Sequence, residues 1–156
     1  MTHSITPAGP ADIPTLIDLM AEFYAESGFP LPVANARRAF GALLADPRLG
    51  AAWIGWTEDG EPTGHVVLTV CYSMEYGGLR GFIDDLFVRP VARGQGVAAA
   101  LLDAVAADCG VRGVRALHVE VGPENAIAQR VYARSGFVES GHTFLTRPLA
   151  APLHLA

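Results

Sequence analysis

Three stretches of the sequence carry residue types that could do chemistry. Ile83-Asp84-Asp85-Leu86-Phe87-Val88 sets two adjacent carboxylates inside an apolar run. Arg89-Pro90-Val91-Ala92-Arg93-Gly94-Gln95-Gly96-Val97-Ala98 follows at once and opens a long Ala/Leu/Val segment. The third is Asn125-x-x-Ala128-x-x-x-Tyr132-x-x-x-Gly136-Phe137. Small residues at a helix start leave backbone N–H groups unshielded, with the positive end of the helix dipole behind them, and that combination suits a phosphate. Gly94, Gly96 and Ala98 allow close approach, while Arg89 and Arg93 add charge. The same glycines would also serve an ordinary strand-to-helix turn. On a helix, Asn125, Ala128 and Tyr132 share one face, with a small residue between two hydrogen-bonding ones. Strand alternation puts Phe82, Asp84, Leu86 and Val88 on one face and Ile83, Asp85 and Phe87 on the other. Only one aspartate can then face a given cleft, unless a bulge intervenes.

Two kinds of phosphate ligand compete. Gly94-x-Gly96-x-x-Ala99 fits the dinucleotide fingerprint, and Glu120 stands where its acidic ribose partner belongs. Against it, Arg89 to Arg93 separate the strand from the first glycine, and two aspartates interrupt what should be an apolar parallel strand. A second pattern fits better. Arg93-x-x-Gly96-x-Ala98 is similar to the Arg/Gln-x-x-Gly-x-Gly/Ala signature of the GNAT superfamily of N-acetyltransferases, with Ala98 in the place of the final glycine. The Asn125 to Phe137 block resembles the second cofactor motif of that family, and the two motifs stand in the family's order.

The resemblance implies acetyl-CoA as acyl donor and a primary amine as acceptor, with direct transfer and no metal. Leu86, Phe87 and Val88 at the strand end, the loop Arg93, Gly94, Gln95, Gly96, Val97 and Ala98, and Asn125, Ala128 and Tyr132 would hold the donor. Asn125 would bond the pantetheine arm, and a backbone amide of Leu86 or Val88 would polarise the carbonyl. Tyr132 would act as general acid toward the leaving sulfur, since a thiol ionises near pH ~8.5 and a phenol near ~10. An alkyl amine, with a pKa near ~10.4, must lose a proton. The family pattern points to Asp84 as base, with Asp85 or a water left open. The acceptor pocket would draw on Phe23, Tyr24, Glu26, Phe29 and the loop Tyr72-Ser73-Met74-Glu75-Tyr76, with Glu22 a further carboxylate. A small amine is the first expectation; a protein lysine or N-terminus, or a non-catalytic acyl-CoA-binding module, are the alternatives. Dimers are common in the family, so a homodimer is expected.

The elements that must position these residues follow from the rest of the chain. Its 156 residues suit one domain, and the net charge of −5 with a pI near 5.4 argues against a nucleic-acid partner. Cys71 and Cys109 lie far apart without metal-ligand spacing. The start of the chain does not read as a signal peptide, and the apolar run Val97 to Ala107 is too short to span a bilayer. A cytoplasmic protein without a membrane partner is expected. His65 and His118, inside apolar strands, read as packed, hydrogen-bonded histidines. Periodicity gives a strand at 4–8, helices from residue 10 and over 33–45, strands at 51–57, 64–72 and 82–88, a helix to about 108, a strand at 114–121, a helix at 125–135 and a last strand pair reaching Pro148. The expected fold is α/β (α+β): a mixed, mostly antiparallel central sheet flanked by helices, in the order βααβββαβαββ.

Overall fold

The computed structural model describes residues 2–153. Five strands form one sheet in sequence order: β1 (His3–Pro7), β2 (Gly50–Thr57), β3 (Pro62–Ser73), β4 (Gly78–Val88) and β5 (Val114–Val119). The first three pairings are antiparallel and the last, β4 with β5, is parallel. Helices α1 (Ile13–Glu26) and α2 (Val33–Ala45) follow β1, α3 (Val97–Arg112) crosses over from β4 to β5, and α4 (Ala126–Arg134) follows β5. This is the mixed, mostly antiparallel sheet flanked by helices that the sequence implies.

Two cores lie on opposite faces of the sheet. Val97, Leu101, Val105 and Cys109 of α3 recur every fourth residue and pack on Trp53, Val66, Leu68, Ile83 and Val88. Leu16, Leu19 and Met20 of α1 and Phe40 of α2 cover Ala52, Ile54, Val67 and Phe87. Along β2 and β3 the residues alternate faithfully between the two. Along β4 they do not: Ile83 belongs to the α3 side and Phe87, four residues on, to the α1/α2 side. The ladder shows why. Val67 faces Asp85 and Leu68 faces Ile83, so Asp84 is an extra residue, a β-bulge.

The last strand pair is not formed. Residues 138–150 are irregular, and β5 pairs only with β4 among the described residues. Val138, Phe144, Leu145 and Leu149 stand 88, 65, 88 and 90% exposed. The Thr143-Phe144-Leu145-Thr146 run has strand propensity, but propensity yields a strand only where an edge is engaged, and here none is. The observed order is therefore βααβββαβα.

Candidate active site

The bulge builds the site. The β4–β5 ladder runs through Ile83 paired with Val119 and stops there, one residue before the extra Asp84. Beyond that point the two strands separate, and the gap is a cleft of about 160 Å³ lined by Asp84, Asp85, Leu86, Glu120, Gly122, Asn125, Ala128, Tyr132 and Phe23. The shared helix face of Asn125, Ala128 and Tyr132 thus opens onto the carboxylates. A second cleft, of about 410 Å³, lies between α1, α2 and the sheet and reaches the same Asp84 and Asp85. The two carboxylates stand where the clefts meet, which flat alternation would have forbidden.

Their environments differ. Asp84 is the more exposed, and partial burial raises its pKa. Asp85 is deeper; burial and the neighbouring Asp84 charge push its carboxyl up to about 7. The Tyr132 phenol is pushed up to about 12, chiefly by burial and then by the Asp85 charge, which places hydroxyl and carboxylate in one electrostatic neighbourhood. The Tyr132 ring meets Phe137 edge-on at 5.4 Å. Tyr24 is raised by burial and by both aspartates.

Backbone groups complete the gap. Arg89 N–H donates to Thr63 O of β3 at 2.8 Å. Alternation then turns Phe87 toward β3, and Leu86 and Val88 toward the edge that β5 has left. Their amides face the gap, where no strand takes them. The glycine loop follows. Gly94 and Gly96 hold φ of +74° and +82°, in the left-handed region that favours glycine, and nothing lies within 4 Å of where their Cβ atoms would be. Among the described residues no side chain caps α3; its first turn closes with Ala100 N–H on Gly96 O, so the N–H groups of Val97, Ala98 and Ala99 precede the first helical bond. This bare, open helix start suits a pyrophosphate.

Several expected residues have other partners. Arg89 forks onto the Glu22 carboxylate at 2.7 and 3.0 Å and also donates to Pro62 O. Arg93 donates to Val88 O and to Glu26 Oε1, and stacks over Phe87. Both arginines tie the loop to α1, each beside a glutamate that offsets the charge expected to serve the phosphate, and Glu22 and Glu26 are engaged with them rather than with an acceptor. Gln95 Nε2 donates to Val91 O. Asn125 Oδ1 accepts from Ala128 N–H as the cap of α4, which leaves its Nδ2–H₂ without a protein acceptor among the described residues and able to reach a ligand. The loop Tyr72 to Tyr76 lies at the far end of the β3–β4 hairpin and lines neither cleft. His65 is fully buried beside Phe87, yet neither ring nitrogen has a hydrogen-bond partner, and burial pushes its pKa down to about 4. His118 packs between the tilted rings of Tyr76 and Phe82, and its Nε2 likewise has no hydrogen-bond partner among the described residues. No cluster of three or more His, Cys, Asp or Glu capable of holding a metal occurs among the described residues. No helix there is long and apolar enough to cross a membrane.

Known proteins place this arrangement. The Acetyltransferase (GNAT) family matches residues 14–137, which spans both motifs and the bulge. The chain belongs to that family. An integron cassette protein from the mobile metagenome of Cole Harbour Salt Marsh is 51% identical, over 96% of this chain and 93% of its own, with a TM-score of 0.88. The fold is shared with AAC(6')-Iy in complex with the bisubstrate analogue CoA-S-monomethyl-acetylneamine, 21% identical, over 96% of this chain and all of that one (TM-score 0.81). It is also shared with a ribosomal-protein-alanine N-acetyltransferase from Brucella melitensis, 21% identical, over 94% and 99% of the two chains (TM-score 0.74). Among curated proteins none matches the sequence significantly. The dinucleotide reading falls with the family match and with the antiparallel pairing of β4 to β3.

Proposed function

We propose that the protein transfers the acetyl group of acetyl-CoA directly to a primary amine of a small molecule. The observation that carries this reading is the meeting of two clefts at Asp84 and Asp85: one in the β4–β5 gap beside α4, the other between α1, α2 and the sheet. The loop amides before Ala100 hold the pyrophosphate, and the pantetheine arm enters the gap with Asn125 Nδ2 and Ala128 beside it. The amine comes in through the larger cleft.

Asp85 is the base we favour over Asp84. A carboxyl with a pKa of about 7 accepts a proton at neutral pH and returns it to water readily, whereas an ordinary carboxylate is too weak a base. The acceptor ammonium gives one proton to Asp85, directly or through water, its freed lone pair attacks the acetyl carbon, and the second N–H proton leaves to water from the tetrahedral intermediate. The carbonyl oxygen gathers charge facing the Leu86 and Val88 amides. The carbon–sulfur bond then breaks and the sulfur leaves beside Tyr132. A phenol held at about 12 keeps its proton against a thiol near ~8.5, so Tyr132 donates a hydrogen bond to the thiolate and solvent protonates it afterwards.

The test is thiol release from acetyl-CoA with purified protein and a panel of amines, run from pH 5 to 9. The expected result is turnover whose kcat/KM rises through pH ~7 and loses that limb in Asp85→Asn. Absence of thiol release with every amine, despite acetyl-CoA binding, would overturn the transferase reading. A limb unchanged in Asp85→Asn but lost in Asp84→Asn would return the base to Asp84.

A further inference from the structure

We infer that the acceptor is a monoamine carried on a hydrocarbon body, aliphatic or aromatic, rather than a polyamine, an aminoglycoside or a peptide. This rests on the acetyltransferase reading and narrows it. At about 410 Å³ the larger cleft is at the small end of ligand-sized cavities and takes one compact molecule. Its wall is hydrocarbon: Met20, Phe40, Leu43, Leu49 and Val67. Thr69 is the one uncharged polar side chain in the lining, and no lining residue is cationic.

All the charge in the cleft sits together. Asp85 lies opposite Val67 on the β3–β4 ladder, whereas Val70 lies opposite Gly81 and donates its backbone N–H to the Leu49 carbonyl at 2.9 Å. Leu49 is 47% exposed, which marks the open side of the cleft. An ammonium group at Asp84 and Asp85 is therefore joined to a body running along apolar wall toward Leu49. A second ammonium on that body meets no carboxylate in the lining. Sugar hydroxyls meet Met20, Phe40 and Leu43, lose their water and gain nothing, an arrangement that discriminates strongly against them. An alkyl or aryl body buries its own surface and gains with every carbon.

That gain can be read directly. Across n-alkylamines from propyl to heptyl, kcat/KM should rise two- to fourfold per methylene, the increment expected for burying one CH₂ group partly or fully. The rise should stop when the chain reaches solvent at Leu49, and 2-phenylethylamine should match the longer members. Leu43→Ser and the half-exposed Leu49→Ser should both flatten the series while leaving acetyl-CoA affinity unchanged. Amine binding is measured separately, by thermal shift in the presence of CoA. Binding that strengthens along the series without thiol release would sustain the acceptor class and overturn the transferase reading. A flat or falling series, or a higher kcat/KM for spermidine, kanamycin or a lysine peptide, would overturn the acceptor class and leave acetyl transfer standing.

Discussion

Replacing Asp85 by Asn should stabilise the protein, and more at alkaline pH than at acid pH. The carboxyl has a pKa of about 7 in the folded chain against an ordinary value of 3.8, because burial and Asp84 disfavour its ionised form. Below pH ~3.8 both states hold the proton and the site costs nothing. As pH rises from there to 7 the unfolded chain has released its proton while the folded chain retains it, so stability falls; above 7 both are ionised and the penalty is constant. At about 1.4 kcal/mol per unit, the penalty is roughly 1.5 kcal/mol at pH 5 and about 4 kcal/mol at pH 8. Asparagine never ionises, so the difference between the two pH values, about 2–3 kcal/mol, appears as extra stabilisation of the variant. For a chain of this length that is a further rise in Tm of about 5–10 °C at pH 8 relative to pH 5. The assay is calorimetry of parent and variant at both pH values without ligands, so no acceptor need be known. An equal shift at both would refute the reasoning, because it would mean that Asp85 titrates like a solvated carboxylate.

Three further outcomes are expected. Tyr132→Phe removes the hydrogen bond to the departing sulfur and should lower kcat by about 10²–10³ while leaving acetyl-CoA affinity within about twofold, read by steady-state kinetics and calorimetric titration. His65, neutral and unpartnered in the core at a pKa of about 4 against 6.5, binds protons more readily when unfolded, so its contribution is lost as pH falls from 6.5 to 4, by about 3 kcal/mol in all. His65→Leu should therefore exceed the parent in stability at pH 4.5, and a smaller gain there than at pH 7 would contradict the assignment. Gly96→Val forces a β-branched residue to a φ of +82°, at a cost of about 1–2 kcal/mol in stability, and should weaken acetyl-CoA binding at least tenfold.

The parts of the site legible in the sequence are the local ones. Gly94 and Gly96 declare themselves because a backbone with positive φ, open to a ligand, selects glycine, and Asn125, Ala128 and Tyr132 declare a face because helix geometry converts spacing into direction. The Asp84 bulge was foreseeable only as a possibility. Two identical adjacent residues give no sign of which is the extra one; that is settled by which core receives Phe87. Arg89 with Glu22 and Arg93 with Glu26 were out of reach for a different reason: each pair is separated by 67 residues and joined only by the packing of α1 against the loop. The C-terminal strands failed because strand propensity in Thr143 to Thr146 is a property of residues, whereas a strand is a property of a pair. His65 was correctly read as core, yet the hydrogen bonds expected for a buried imidazole are not made by the protein around it.

The bulge has a consequence for how such a site can be gained or lost. If Asp84 is struck from the chain, Ile83, Leu86 and Val88 still face α3 and Asp85 and Phe87 still face α1 and α2, now in unbroken alternation. Both cores would survive, while β4 could run on beside β5 and seal the gap. The chemistry is thus encoded as a frame shift of one residue in an otherwise periodic strand, a matter of chain length more than of composition. Point substitutions can disarm the site but cannot close it, whereas a single codon deletion would restore a continuous sheet with no place for a thioester to lie.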